Sequence, residues 1–237
     1  MIVSSESVLR KIPALLSRQQ ALFIEGIRLT IEMADLSHRR LQETLPKLTA
    51  METGQSGANG ISAMLDAWSL VDSLHRLRGL LGNLPRIKHR DRILEIRTFF
   101  DTTKNITGLR NTVQHLDSEI PEELTDPDWA LLGSLSWGVV DPTDQQVTSS
   151  SFMPGMPLGT RSLINPANRQ IWYGPVDAIT TERGGVAVCL SDAMRRLDAL
   201  VPFLEKMLSA AYARQLPAQE HHAADITISV VMKIVWL

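Results

Sequence analysis

Between Ile24 and Leu48 the chain repeats in alternating steps of three and four: Ile24, Ile27, Ile31, Ala34, His38, Leu41, Leu45 and Leu48. That spacing lines up one face of an α-helix, and its length predicts a bundle helix packed on several neighbours. Pro13 falls before or near its start. Pro46 predicts a kink or an end, because an interior proline removes a backbone donor. His38 stands on the apolar stripe and is expected to be partly buried with one polar partner. Residues 54–60 (GQSGANG) read as a flexible loop. A second helix follows over 62–81, with Leu70, Leu74, Leu77 and Leu81 on one side and Trp68, Asp72 and His75 on another. Asp72 lies within a turn of both His75 and Arg76, either of which it could pair with. Gly82-Asn83-Leu84-Pro85 is a stop signal. A third helix is predicted from Asp91 to Leu116, burying Ile96, Phe99, Ile106, Leu109, Val113 and Leu116. Three helices with short connections in 120 residues predict an up-and-down bundle.

The pattern changes after Asp117. Glu119, Glu122, Glu123, Asp126 and Asp128 form an acidic connector with Pro121 and Pro127. Ser134–Val140 alternates like a strand, with a short strand near Val147–Phe152. Residues 170–181 and 185–190 read as two strands turning at Glu182-Arg183-Gly184-Gly185. Ser191 is a candidate cap for a fourth helix to about Gln215, with Pro202 inside it predicting a kink or a late start. The β-branched segment 225–237 (DITISVVMKIVWL) reads as a last strand. The expected fold is therefore α+β: a mainly α-helical up-and-down bundle, with a small antiparallel sheet inserted before the last helix and joined by the C-terminal strand. Residues 1–120 would form the bundle, and 121–237 the sheet plus the helix that completes it, in one compact unit. Trp129, Trp137, Trp172 and Trp236 fall in the sheet portion, where packing of the sheet on the bundle explains them more simply than base stacking.

Composition narrows the function classes only a little. The 237 residues are 44% hydrophobic and 21% charged with a formal net charge of -2, so nucleic-acid binding would need a local patch. The strongest basic run is Arg86, Lys88, His89, Arg90 and Arg92, with Arg76 and Arg78 shortly before it. A single cysteine, Cys189, excludes an internal disulfide or thiolate cluster and fits a reducing, cytoplasmic compartment. Met1–Ile12 lacks the basic-then-apolar pattern of a signal peptide, and no apolar run reaches the ~20 residues of a membrane span. No His-x3-His pair or carboxylate cluster has metal-ligand spacing, and no cofactor motif is present.

The densest group of reactive side chains is Arg110, Asn111 and His115, within about one and a half turns at the end of the third helix. Asn111 and His115 share a face with Thr107, and Asn111 can hold His115 while the long Arg110 side chain reaches the same notch. A histidine of near-neutral pKa can take a 2′-hydroxyl proton or protonate a leaving 5′-oxygen. A guanidinium can stabilise charge on the phosphoryl oxygens, with no metal required. One histidine does not readily serve as both acid and base, so two copies from a symmetric dimer enter the expectation. The structural alternative pairs Arg110 with Asp117 or Glu119 and uses His115 as a helix-end cap.

The segment Arg110-Asn111-Thr112-Val113-Gln114-His115 resembles the R-x4-6-H motif of the HEPN superfamily, in which a polar residue commonly follows the arginine. The motif's place late in a bundle helix, with helical pattern over about 60–117 and 191–215, is similar to that family. The resemblance implies a helical bundle that dimerises through the face carrying the motif. It implies a metal-independent endoribonuclease of a toxin–antitoxin or phage-defence system, with Arg110 and His115 as the catalytic pair and Asn111 assisting. Arg86, Lys88, Arg90 and Arg92 would hold the RNA backbone, and an antitoxin or other protein would be a partner. Since many HEPN members have lost activity, a non-catalytic module that binds a protein or nucleotide is the alternative.

Overall fold

The structure, a computed structural model, describes residues 2–14, 16–50, 57–84, 93–114, 132–155, 172–212 and 229. It is a mixed α+β fold. Five helices are described, α1 Arg18–Thr49, α2 Gly57–Gly82, α3 Leu94–Thr102, α4 Ile106–Gln114 and α5 Leu190–Tyr212, with four strands, β1 Ser134–Val140, β2 Val147–Phe152, β3 Val176–Arg183 and β4 Val186–Cys189. The predicted final strand over 225–237 lies outside the described residues.

A capping box starts α1: the Ser17 hydroxyl accepts from the Gln20 amide, and the Gln20 side chain accepts from the Ser17 amide. Pro13 precedes it, and Pro46 sits three residues before its end. α2 returns antiparallel beside α1, as three cross-contacts require: Leu80 covers Gly26, Ser37 Oγ meets Ser69 Oγ at 3.1 Å, and Arg40 pairs with Asp66 at 3.2 Å. Ile24, Ile27, Ile31, Leu41 and Leu45 from one helix and Leu70, Leu74, Leu77 and Leu81 from the other are all buried in the same core.

Two helix boundaries differ from the sequence pattern, each for a long-range reason. Gly57–Gly60, expected in a loop, is the first turn of α2. A Cβ at Gly60 would lie 2.6 Å from Phe152 Cζ, so this glycine serves the close approach of β2 and not chain flexibility. Gly60→Ala should therefore lower stability by about 1 kcal/mol, because ~1–3 kcal/mol of overpacking exceeds the ~1 kcal/mol by which alanine favours a helix. In a Phe152→Leu background the same change should be neutral or stabilising. Denaturant melts of the four proteins check this, and an unchanged midpoint in the single variant would contradict it.

The single third helix is in fact α3 and α4 separated by Thr103–Asn105. In a continuous helix the Phe100 carbonyl would accept from the Lys104 amide. Here Arg78 Nη1 donates to that carbonyl at 2.6 Å and to Thr103 Oγ1 at 2.7 Å, while the Lys104 amide turns to Asp101 O. Thr103 Oγ1 also donates back to Phe99 O at 2.6 Å, a bond that competes with the helix ladder.

The sheet is antiparallel in the order β2-β1-β3-β4. β3 and β4 are joined by Gly184-Gly185 at φ 57° and 73°, the positive angles that a two-residue hairpin turn needs. Between Ser136 and Gly138 the β1–β3 register slips, so Ala178 and Ile179 stand opposite Trp137, with Ala178 at φ 53°. The Ile179 amide donates instead to Ser191 Oγ at 3.0 Å. Ser191 thus repairs the bulge and does not cap α5, which leaves β4 directly at Leu190. Pro202 is accommodated within α5. Trp137 is buried and donates through Nε1 to Thr49 Oγ1 at 2.8 Å, fixing β1 to the end of α1. α5 packs on α3 and β3, and α4 on α2 and β4. No described helix is long and apolar enough to cross a membrane.

Candidate functional site

α4 is held by its buried Ile106 and Leu109, and by Asn105 Nδ2, which donates to the Ala187 carbonyl of β4 at 3.2 Å. That leaves Thr107 and Asn111 exposed and Arg110 half-buried. Two side-chain rungs join α4 to α2. Arg110 Nε donates to Asp72 Oδ1 at 3.3 Å, and Thr107 Oγ1 lies 3.3 Å from His75 Nδ1. Asp72 Oδ2 also takes Arg76 Nη2 at 2.7 Å. The carboxylate therefore steers two guanidinium groups while an imidazole stands one helical turn along.

The electrostatics follow from this grouping. Burial and then the adjacent Arg110 hold His75 below the ordinary imidazole range. Asp72 opposes them, and Arg78 and Arg76 add to the depression. That direction favours the unprotonated ring. Arg110 and Asp72 are 28% and 29% exposed, so solvent screens their pair and it contributes only ~0–1 kcal/mol.

Of the residues singled out by the sequence, Arg110 and Asn111 are described, and the structure joins Arg110 to Asp72, His75 and Thr107. His115, Asp117, Glu119 and the basic residues Arg86, Lys88, Arg90 and Arg92 lie outside the described residues. Arg76 remains accessible beside Arg110. Arg78 is committed elsewhere: besides its two hydrogen bonds to the α3 end, it lies 4.8 Å over the Phe100 ring. Asp72 and His75 were already visible on one face of α2, but their meeting with Arg110 depends on the packing of α4.

A second cluster had little signal in the sequence. A cleft of about 150 Å³ is lined by His38 and Gln42 of α1, Tyr173 ahead of β3, Asp177 of β3, and Ser191, Arg195 and Asp198 of α5, among others. Asp177 accepts from the Tyr173 amide at 3.1 Å, the Ala178 amide at 2.6 Å and Arg195 Nη1 at 2.8 Å. Burial pushes the Asp177 carboxyl up, but Arg195 and the two amides outweigh it, and the net direction is down. Arg195 also pairs with Asp192 and stacks 4.3 Å over the Tyr173 ring. His38 Nε2 is enclosed with no hydrogen-bond partner among the described residues, unlike the singly satisfied histidine expected. Burial lowers its pKa to about 4, with Asp35 and Asp177 opposing and Arg195 reinforcing the shift. This cluster joins α1, β3 and α5 through largely internal pairs, and its arginine is already held by two carboxylates.

Among the described residues no three His, Cys, Asp or Glu side chains are grouped to hold a metal ion. Neither a family model nor a curated protein nor a solved structure matches the chain.

Proposed function

We propose that the protein is a HEPN-like, metal-independent endoribonuclease whose centre is the face shared by α2 and α4. The observation that carries this reading is the pair of rungs that sets Arg110 beside the imidazole of His75. RNA cleavage by 2′-hydroxyl attack needs a cation at the phosphate and groups that move protons, and no metal. The Asp72 contact engages only Nε of Arg110, and a guanidinium carries four further donors on its terminal nitrogens. Because the half-exposed pair is weak, a bidentate phosphate can compete for Arg110 without dismantling the core beneath it. Arg76 adds a second cation on the same carboxylate. In the motif reading, Arg110 and His115 are the catalytic pair, Asn111 assists, and Arg86, Lys88, Arg90 and Arg92 hold the flanking backbone. A homodimer and a partner protein such as an antitoxin belong to the same reading, as do the up-and-down bundle and the C-terminal strand's return to the sheet.

The expected result is cleavage of RNA in EDTA that falls ~10²–10³-fold in Arg110→Ala, the usual cost of removing one oxyanion-stabilising donor. His115→Ala should lower it similarly, with both variants folded by circular dichroism. Cleavage persisting in both folded variants would sink the proposal. A second reading, a non-catalytic module binding a protein or nucleotide, is favoured by one fact: Arg110 already has a carboxylate partner. Under it, no RNA is cut and the same substitutions change dimerisation or thermal stability instead.

A further inference from the structure

Resting on the ribonuclease reading, we infer that His75, outside the R-x4-6-H motif, is a general base of the reaction and acts in the same chain as Arg110. Asp72 and His75 are three residues apart on α2, and Thr107 and Arg110 are three apart on α4. The two rungs therefore run side by side, with a separation of roughly 5–6 Å expected for neighbours one turn apart on a helix. That span suits an RNA linkage whose phosphoryl oxygens meet Arg110 while the 2′-oxygen faces His75. Thr107 Oγ1 meets the ring at Nδ1, and in the tautomer whose Nδ1–H donates to Oγ1 it is Nε2 that carries the lone pair. The charged groups facing the imidazole are Asp72, Arg76 and Arg78 from α2 and Arg110 from α4. Burial first, and then Arg110 with smaller help from Arg78 and Arg76 against Asp72, holds the ring below the ordinary imidazole range, so the group that binds the phosphate also helps to ready the base.

The step balances without a cofactor. The 2′-O–H bond breaks and its proton passes to His75 Nε2, the O2′–P bond forms, the P–O5′ bond breaks, and the departing O5′ takes a proton from water. His75 returns its proton to solvent. The products are a 2′,3′-cyclic phosphate and a 5′-hydroxyl, with no change of oxidation state. A dimer is then not needed to supply the second imidazole.

The test is a pH–rate profile for an RNA oligonucleotide in EDTA, comparing wild type, His75→Gln, Thr107→Val and Arg110→Ala. Wild type should show an acid limb below pH 6.5. His75→Gln should lose 10²–10⁴-fold in kcat, the range for general-base removal, and lose the limb. Thr107→Val should keep the fold, shift the limb and lose less. If folded His75→Gln cleaves at the wild-type rate with the limb unchanged while Arg110→Ala is inactive, the inference fails and the ribonuclease reading stands. If wild type does not cleave, both fail. Should His75→Gln not fold, the His75 Cε1–H resonance of wild type is followed on adding an oligonucleotide with 2′-deoxy at the cut position. A change in its shift and titration midpoint supports the inference, and an unperturbed resonance overturns it.

Discussion

Asp177→Ala should destabilise the protein by about 3 kcal/mol. This carboxylate is 2% exposed and accepts from two backbone amides and Arg195. Removing it leaves buried donors without an acceptor and breaks a charged pair, a change that typically costs ~3–5 kcal/mol. The lower end applies because Arg195 keeps Asp192 and is 26% exposed, so water relieves part of the loss. Asp177 also sits at the bulge where Ala178 is held at φ 53°, so the damage should reach the Trp137 region of the sheet. Urea unfolding followed by tryptophan fluorescence measures it, and a loss under 1 kcal/mol would contradict the bond count at this position.

The second large effect is on acid stability. His38 has a folded pKa of about 4 against an ordinary 6.5. Between these values the unfolded chain binds the proton and the native protein does not, so stability rises with pH across that window. The contribution is fully present above pH 6.5 and is lost as pH falls toward 4. At ~1.4 kcal/mol per unit, it amounts to about 3 kcal/mol over the window and about 2 kcal/mol between pH 7 and pH 5. The lowered Asp177 carboxyl acts in the same direction below its ordinary range, since its contribution is present above that range and lost as pH falls. Unfolding free energies at pH 7, 6 and 5 should show this slope in wild type and a flatter one in His38→Gln. Equal slopes in the two proteins would show that burial of His38 does not set the acid limit.

Local pattern read the long elements well and their joints poorly. Alternating steps of three and four placed α1 because its buried face is continuous from Ile24 to Leu48, and period-two alternation placed β1. The glycines opening α2 misled because their role is a contact with Phe152, which is remote in sequence. The break between α3 and α4 has its cause in Arg78, a residue of α2, so the apolar spacing across 96–109 ran through it unbroken. The site shows the same division. Arg110 and Asn111 stood out as a dense local group, and Asp72 with His75 as another. Their union is a property of α4 lying on α2. The cluster of His38, Asp177 and Arg195 was the least legible, since it draws single residues from three distant segments. Its one local hint was a histidine placed on an apolar stripe.

The chemistry of the cut ends decides whether the protein cleaves RNA by 2′-hydroxyl attack without a metal. Wild-type protein is incubated in EDTA with an RNA oligonucleotide and with the same oligonucleotide carrying 2′-deoxy at the cut position. The expected products are 2′,3′-cyclic phosphate and 5′-hydroxyl ends from the first and an intact second strand, with neither strand cut by Arg110→Ala. Intact RNA throughout, 5′-phosphate ends, or cleavage of the 2′-deoxy strand would contradict it.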